Sequence, residues 1–266
     1  MRLIDPHTHM ITRVTDDYEH MAEAGIEAVV EPSFWLGSPR TSVGTFVDYF
    51  EHLIGFETQR ARQFGIEHFC TISLNPREAN NEPLANEVLP VVEKFCQRET
   101  VVGIGEIGLD RQTDAEERAF RYQLRLAKKH RLPVIIHLPH QYKRLGTERT
   151  LRIVAEEGMD SSKTLLDHNT EETMPLYEGT GWWRGLTIYA VTKLTVERAA
   201  NIVEQYGVER LMVNSSADWG VSDPLSVPKL ALELRRRGYP RERIEQLVFH
   251  NPIEFYRSSD KWTFRG

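Results

Sequence analysis

Eight short, almost unbroken apolar runs recur along the chain, each followed by an amphipathic stretch, and few folds accept that rhythm. The runs are Arg2–His9, Ile26–Pro32, Glu67–Leu74, Val101–Leu109, Pro133–Leu138, Lys163–Asn169, Arg184–Tyr189 and Arg210–Asp218. Strands that are apolar throughout, rather than alternating, belong to parallel sheets buried on both faces. Parallel neighbours cannot be joined by a tight turn, so each pair needs a crossover, usually a helix. The intervening stretches supply it. Thr113-Asp114-Ala115-Glu116 forms a capping box. Ala119, Phe120, Gln123, Leu124 and Ala127 then repeat at the three-and-four spacing of a buried helical stripe. Asp223-Pro224 reads as an N-cap with proline at the first helical position, although Pro228 argues for a later start. Gly25, Gly65, Gly158, Gly207 and Gly238 each follow a helical pattern, as C′ glycines do. The predicted fold class is α/β, a single-domain (β/α)8 TIM barrel over residues 1–266, with an open doubly wound sheet as the next choice. The length of 266 residues agrees with the roughly 250 typical of such barrels, and no linker divides it.

The charge balance narrows the partners. Lys plus Arg number 33 and Asp plus Glu 39, a net charge of −6. A general nucleic-acid binder needs a basic stripe, so nucleic acid is not an expected partner. No apolar run approaches ~18 residues, so membrane insertion is not expected. MRLIDPHTHM has neither a long apolar segment nor a small-residue cleavage site and does not read as a leader. Cys70 and Cys96 sit in separate apolar runs and read as buried free thiols. A reducing, cytoplasmic setting is the expectation.

Polar residues fall where a barrel keeps its active site, at the C-terminal ends of the strands. Asp5-Pro6-His7-Thr8-His9 closes the first run. Strand alternation would put His7 and His9 on one face, with Asp5 one layer deeper and placed to orient an imidazole. Glu106 stands among Gly103, Gly105 and Gly108 near the end of the fourth run. His137 lies at the end of the fifth, Asp167-His168-Asn169 ends the sixth and Asp218 the eighth. Unpaired charges within apolar strands are costly to bury, so packing does not account for the set. Imidazoles and carboxylates converging on one face suit a divalent metal. The glycines around Glu106 read as room for the close approach of a metal-bridging carboxylate.

DPHTH, GEIGLD, IIH, DH and SAD, in that order along essentially the whole chain, resemble the metal-ligand signature of TatD-type hydrolases, within the amidohydrolase-like barrels. The nearest likeness is to a TatD-related subgroup associated with bacterial gene clusters for secondary metabolism or export. The resemblance implies two divalent metal ions (Zn, Mn, Fe or Ni). His7, His9 and Asp218 would hold one metal, His137 and His168 the other, and Glu106 would bridge. It implies a metal-dependent hydrolase, in which metal-activated water attacks a small-molecule phosphoester, amide or lactone. Asp218 and Glu106 are then the catalytic carboxylates, with Asp218 as general base. The alternatives are a non-hydrolytic lyase or decarboxylase, a TatD-like deoxyribonuclease, and a metal-stabilised accessory binding protein.

Three departures from the TatD pattern fall in loops that would meet substrate. Leu138-Pro139-His140 stands where a small polar residue and an arginine are usual. Asn169-Thr170-Glu171-Glu172 replaces a Cys-Phe-Ser-Gly turn, and Ser216-Ala217 replaces Glu-Thr before Asp218. Kept ligands, rewritten loops and an acidic balance argue for a small molecule rather than DNA. His140, Lys143 and Arg144 are the predicted polar contacts for a phosphate or carboxylate. Trp35, Tyr189 and Trp219 are predicted to wall the pocket. Trp182-Trp183 reads as stability core. The apolar face of Thr41–Gln63 reads as core packing or as a homo-oligomer interface.

Overall fold

The computed structural model describes residues 1–266. It contains eight parallel strands, β1 (Leu3–Asp5), β2 (Ile26–Pro32), β3 (Glu67–Ile72), β4 (Val101–Gly108), β5 (Val134–His137), β6 (Thr164–Asp167), β7 (Trp183–Thr187) and β8 (Leu211–Asn214). They pair in chain order from β1 to β8, with helices between them, so the expected (β/α)8 barrel is the observed one. The seam between β8 and β1 is not closed by a strand ladder. Past the strand ends, His9 N donates to Ala217 O at 2.9 Å and Ser216 N donates to His7 O at 2.8 Å. The Ser215 hydroxyl donates to the Asp5 carboxylate at 2.5 Å. The segment carrying two candidate ligands therefore also stitches the seam.

The strands are shorter than the apolar runs. β1 stops at Asp5 and β8 at Asn214, and the residues beyond them turn across the barrel mouth. A residue from every strand, including Ile4, Phe69, Ile135 and Trp183, joins one buried cluster with Phe249, Phe255, Tyr256 and Trp262. The C-terminal segment thus plugs the end of the barrel opposite the mouth, and Trp183 belongs to that stability core. Two larger clusters lie between the barrel and its helices.

Gly103 and Gly105 serve packing rather than a metal. A β-carbon on either would come within 2.8 Å of β5 or the residue before it, at Pro133 O and at Ile135 Cβ respectively. They let two strands approach, which corrects the expectation of space around a bridging carboxylate. The Asp114–His130 helix carries its predicted cap, Thr113 accepting from Glu116 N at 3.2 Å. The buried Glu116 carboxylate accepts from the backbone N–H groups of Asp110, Arg111 and Gln112, which pins the loop before the helix. The later helix begins at Ser226, beyond Asp223-Pro224. Phe46, Tyr49, Phe50, Leu53 and Ile54 are buried in the molecule itself, so the core takes most of the apolar face of 41–63 and leaves Phe56 outside. Cys70 and Cys96 are free and buried. No helix is long and apolar enough to cross a membrane.

Candidate metal centre

At the barrel mouth, ligand atoms of His7, Glu106 and His168 lie within 4.8 Å of one another, and all three residues are buried. His168 Nε2 is 2.8 Å and His7 Nε2 3.5 Å from Glu106 Oε1. His9 Nε2 is 3.1 Å from His7 Nε2, and His137 Nδ1 is 3.4 Å from Glu106 Oε1. Asp218 lines the same cavity but stands outside the three-residue cluster. Its Oδ1 accepts from Tyr189 OH at 3.0 Å and from Gly220 N at 2.7 Å. His7 and His9 lie beyond β1, so the seam bonds align them rather than strand alternation.

The outer ring nitrogens show which inner ones carry lone pairs. His9 Nδ1 faces Pro32 O at 3.2 Å. A carbonyl only accepts, so the proton is on Nδ1 and Nε2 is bare. His7 Nδ1 donates to Asp167 Oδ2 at 2.6 Å. His168 Nδ1 meets Thr187 Oγ1 at 2.6 Å, and that hydroxyl is placed to donate onward to Asp167 Oδ1 at 3.3 Å. Burial, reinforced by the charge of His7, keeps His9 neutral. Burial, reinforced by Lys193, keeps His168 neutral. Burial alone would raise the Glu106 carboxyl, but the surrounding imidazoles of His137, His168 and His7 outweigh it and hold it well below the usual range. Imidazole nitrogens and an ionised carboxylate thus face one another in a buried pocket, with room between them for a proton or a metal ion. Such acceptors repel unless a cation lies among them. The mixed histidine and carboxylate donor set fits a divalent transition metal.

The imidazole is oriented by Asp167, not by Asp5 as expected. Asp5 is occupied by Ser215 and by the backbone N–H of His7. Asp167 receives His7 Nδ1, the backbone N–H of His168 and both bonds from Asn214 Nδ2. Burial opposes its charge, yet His168 and His7 hold its carboxyl well below the ordinary value. β7 must carry glycine at position 185, because a β-carbon there would collide with Asp167 Oδ1. An aspartate adjoining a strand-end histidine was the available sign of this role. Lys193 gave no such sign. It lies past β7, enters the same cavity, and has neither an ion pair nor a hydrogen bond on its ammonium. Burial lowers its pKa against the pull of Glu106, Asp167 and Asp218.

Trp35, Tyr189, Trp219 and His140 line the cavity. Phe34 stacks on His9 with ring centroids 3.6 Å apart, and Trp219 stacks on Phe34. Desolvation among the neighbouring side chains, reinforced by His137, lowers the His140 ring below its ordinary value. Lys143 and Arg144 do not line the cavity. A helix starts at Lys143, which is buried beneath the cavity wall, and Arg144 lies on the outer surface. The buried Lys143 ammonium donates to Pro139 O at 3.4 Å, and Arg144 pairs with Glu148 at 3.2 Å on the surface. Glu171, half of the acidic pair, is neutralised by Arg198 at 2.6 Å.

The sequence profile of the family described as TatD related DNase matches residues 4–257. The chain is 31% identical over 259 residues to an uncharacterized metal-dependent hydrolase of Methanocaldococcus jannaschii, covering 96% of this chain and 100% of that one. Among solved structures, it resembles a TatD-like protein from Archaeoglobus fulgidus at 29% identity and a TM-score of 0.78, covering 96% and 99% of the two chains. It shares the fold of a phosphotriesterase homology protein from Escherichia coli, solved with phosphate in its active site, at 15% identity, a TM-score of 0.70 and 96% and 98% coverage.

Proposed function

The chain belongs to the TatD family of metal-dependent hydrolases, and from that premise we propose that its barrel mouth is a two-metal hydrolytic centre acting on a small-molecule phosphoester, amide or lactone. The observation that carries this reading is the convergence of imidazole ring nitrogens on the ionised Glu106 carboxylate. His7 and His9, with Asp218, would hold one metal, His137 and His168 the second, and Glu106 would lie between them. Divalent ions held there lower the pKa of a water and polarise the oxygen under attack. Asp218 has Oδ1 fixed by Tyr189 and Gly220, and its Oδ2 would be the oxygen left to accept a proton from an attacking water. Lys193 contributes an unpaired positive charge to balance an oxyanion as it develops. Phe34, Trp35 and Trp219 exclude bulk water on one side of the cavity. The phosphate held by the Escherichia coli protein of the same fold supports a phosphoester in particular.

Elemental analysis and a substrate panel test this together. Purified wild type should carry stoichiometric transition metal and hydrolyse at least one phosphoester, amide or lactone. Glu106→Gln should lose both metal and turnover. A wild type that never holds stoichiometric metal would overturn the reading. The family description names a DNase, so the panel includes single-stranded DNA. Cleavage of DNA alone, abolished by Glu106→Gln, would replace the small-molecule substrate with nucleic acid.

A further inference from the structure

A second cavity of about 630 Å³ adjoins the metal cavity of about 270 Å³. The two share Trp35, Arg77, Asp110 and His140, so they open into one another. The larger one adds Arg111 and Tyr142 from the loops after β4 and β5. Arg77 Nε lies 3.2 Å from Asp110 Oδ2, and its guanidinium sits 4.9 Å from the centre of the Trp35 ring. The Arg111 guanidinium has no ion pair and no hydrogen bond, unlike most arginines in this chain. Asp110 balances one guanidinium, which leaves this cavity a net positive charge within a molecule of net charge −6.

The loop that carries Arg111 is built, not loose. Glu116 accepts from three consecutive backbone N–H groups there, including that of Arg111. Gln112 Nε2 donates to Gln141 O at 3.1 Å, and Arg149 Nη1 donates to Gln112 O at 2.5 Å. Gly146 keeps the next helix close, because a β-carbon there would strike Pro139 and the Gln112 amide. The backbone beneath Arg111 is fixed in this way, so only the side chain itself must order when it meets an anion.

We propose that this cavity is a subsite for an anionic substituent of the substrate, held by Arg111 and Arg77 while the scissile bond lies at the metal centre. The anion is a carboxylate or a phosphate, joined to the reacting group by an apolar or aromatic body lying along Trp35. Guanidinium forks match both oxyanions. The inference rests on the hydrolase reading, because it names a part of the same substrate.

The test titrates metal-loaded and chelator-treated protein with phenyl phosphate, phenylacetate and neutral benzyl alcohol, followed by tryptophan fluorescence and calorimetry. At least one anion should bind the chelator-treated protein, and benzyl alcohol should not. Whichever anion binds identifies the oxyanion. Arg111→Ala should weaken that binding about tenfold or more, Arg77→Ala should also weaken it, and Arg111→Lys should recover part of the loss. Arg111 is exposed, so circular dichroism should report an unchanged fold. Binding that ignores both alanine variants, or that is as strong for benzyl alcohol, would overturn the subsite. Anion binding that depends on Arg111, in a protein that never holds metal, would overturn the hydrolase reading and spare the subsite.

Discussion

His7 commits its Nδ1 proton to Asp167, and that fixes what its Nε2 can do. Asp167→Asn keeps the shape but removes the charge that secures the tautomer. It should lower metal affinity about 10- to 100-fold, measured by competition with a chromogenic chelator. Unchanged affinity would mean that the carboxylate only packs. A second buried pair makes a pH prediction. Glu31 Oε2 lies 2.9 Å from His68 Nε2. His68 Nδ1 donates to Thr58 Oγ1, whose own hydrogen goes to Ile54 O. Glu31 must then carry the shared proton, and burial pushes its carboxyl from 4.5 up to about 8. A carboxyl raised in this way binds its proton more tightly when folded, so stability falls as pH climbs from the lower value to the higher and levels off above. Burial lowers His68 to about 4, and its effect is complete before pH 7. Between pH 7 and 8 the wild type should lose up to about 1.4 kcal/mol, and Glu31→Gln should not. Urea midpoints at pH 7 and 9 decide this, and equal slopes for both proteins would refute it. At this scale the candidate histidines and Glu106 stood out because charged groups in apolar runs are expensive. Asp167 was visible but not assigned, since spacing gives a direction and not a partner. Lys143 and Arg144 were read as loop residues, whereas a helix begins at Lys143 and neither residue lines the cavity.

The eight strands were legible as elements because apolar runs and crossover helices impose parallel pairing. Their C-terminal ends were not, since composition does not record where a ladder stops. β1 and β8 end early, and the leftover residues became the mouth. Glycines were misread in purpose for a related reason, because what a missing β-carbon makes room for depends on the neighbouring strand. β7 offers a test. Gly185→Ala should destabilise by about 1–3 kcal/mol and disturb Asp167, lowering both the melting temperature and metal affinity. Gly55→Ala is the control, since a β-carbon there meets nothing within 4 Å. Equal melting temperatures for the two variants would show that β7 yields without harm.

Across the whole molecule, the candidate ligands follow strands spread from β1 to β8, so an ion bound there favours the closed barrel alone. Binding at 100 times the dissociation constant should add about 2.7 kcal/mol, and chelation should remove it. Calorimetric melts with added metal and with chelator measure the difference, and coincident melts would deny tight binding to the fold. The circular order of strands followed from the sequence pattern, but the manner of closure did not, because it rests on backbone bonds between residues 7–9 and 216–217. Those bonds have a consequence for synthesis. His7, His9 and Glu106 leave the ribosome early, yet the backbone that sets the first two in place waits for residues made much later. A growing chain therefore has the candidate side chains long before it has their geometry, and any metal held between them would be loaded only once the barrel is complete.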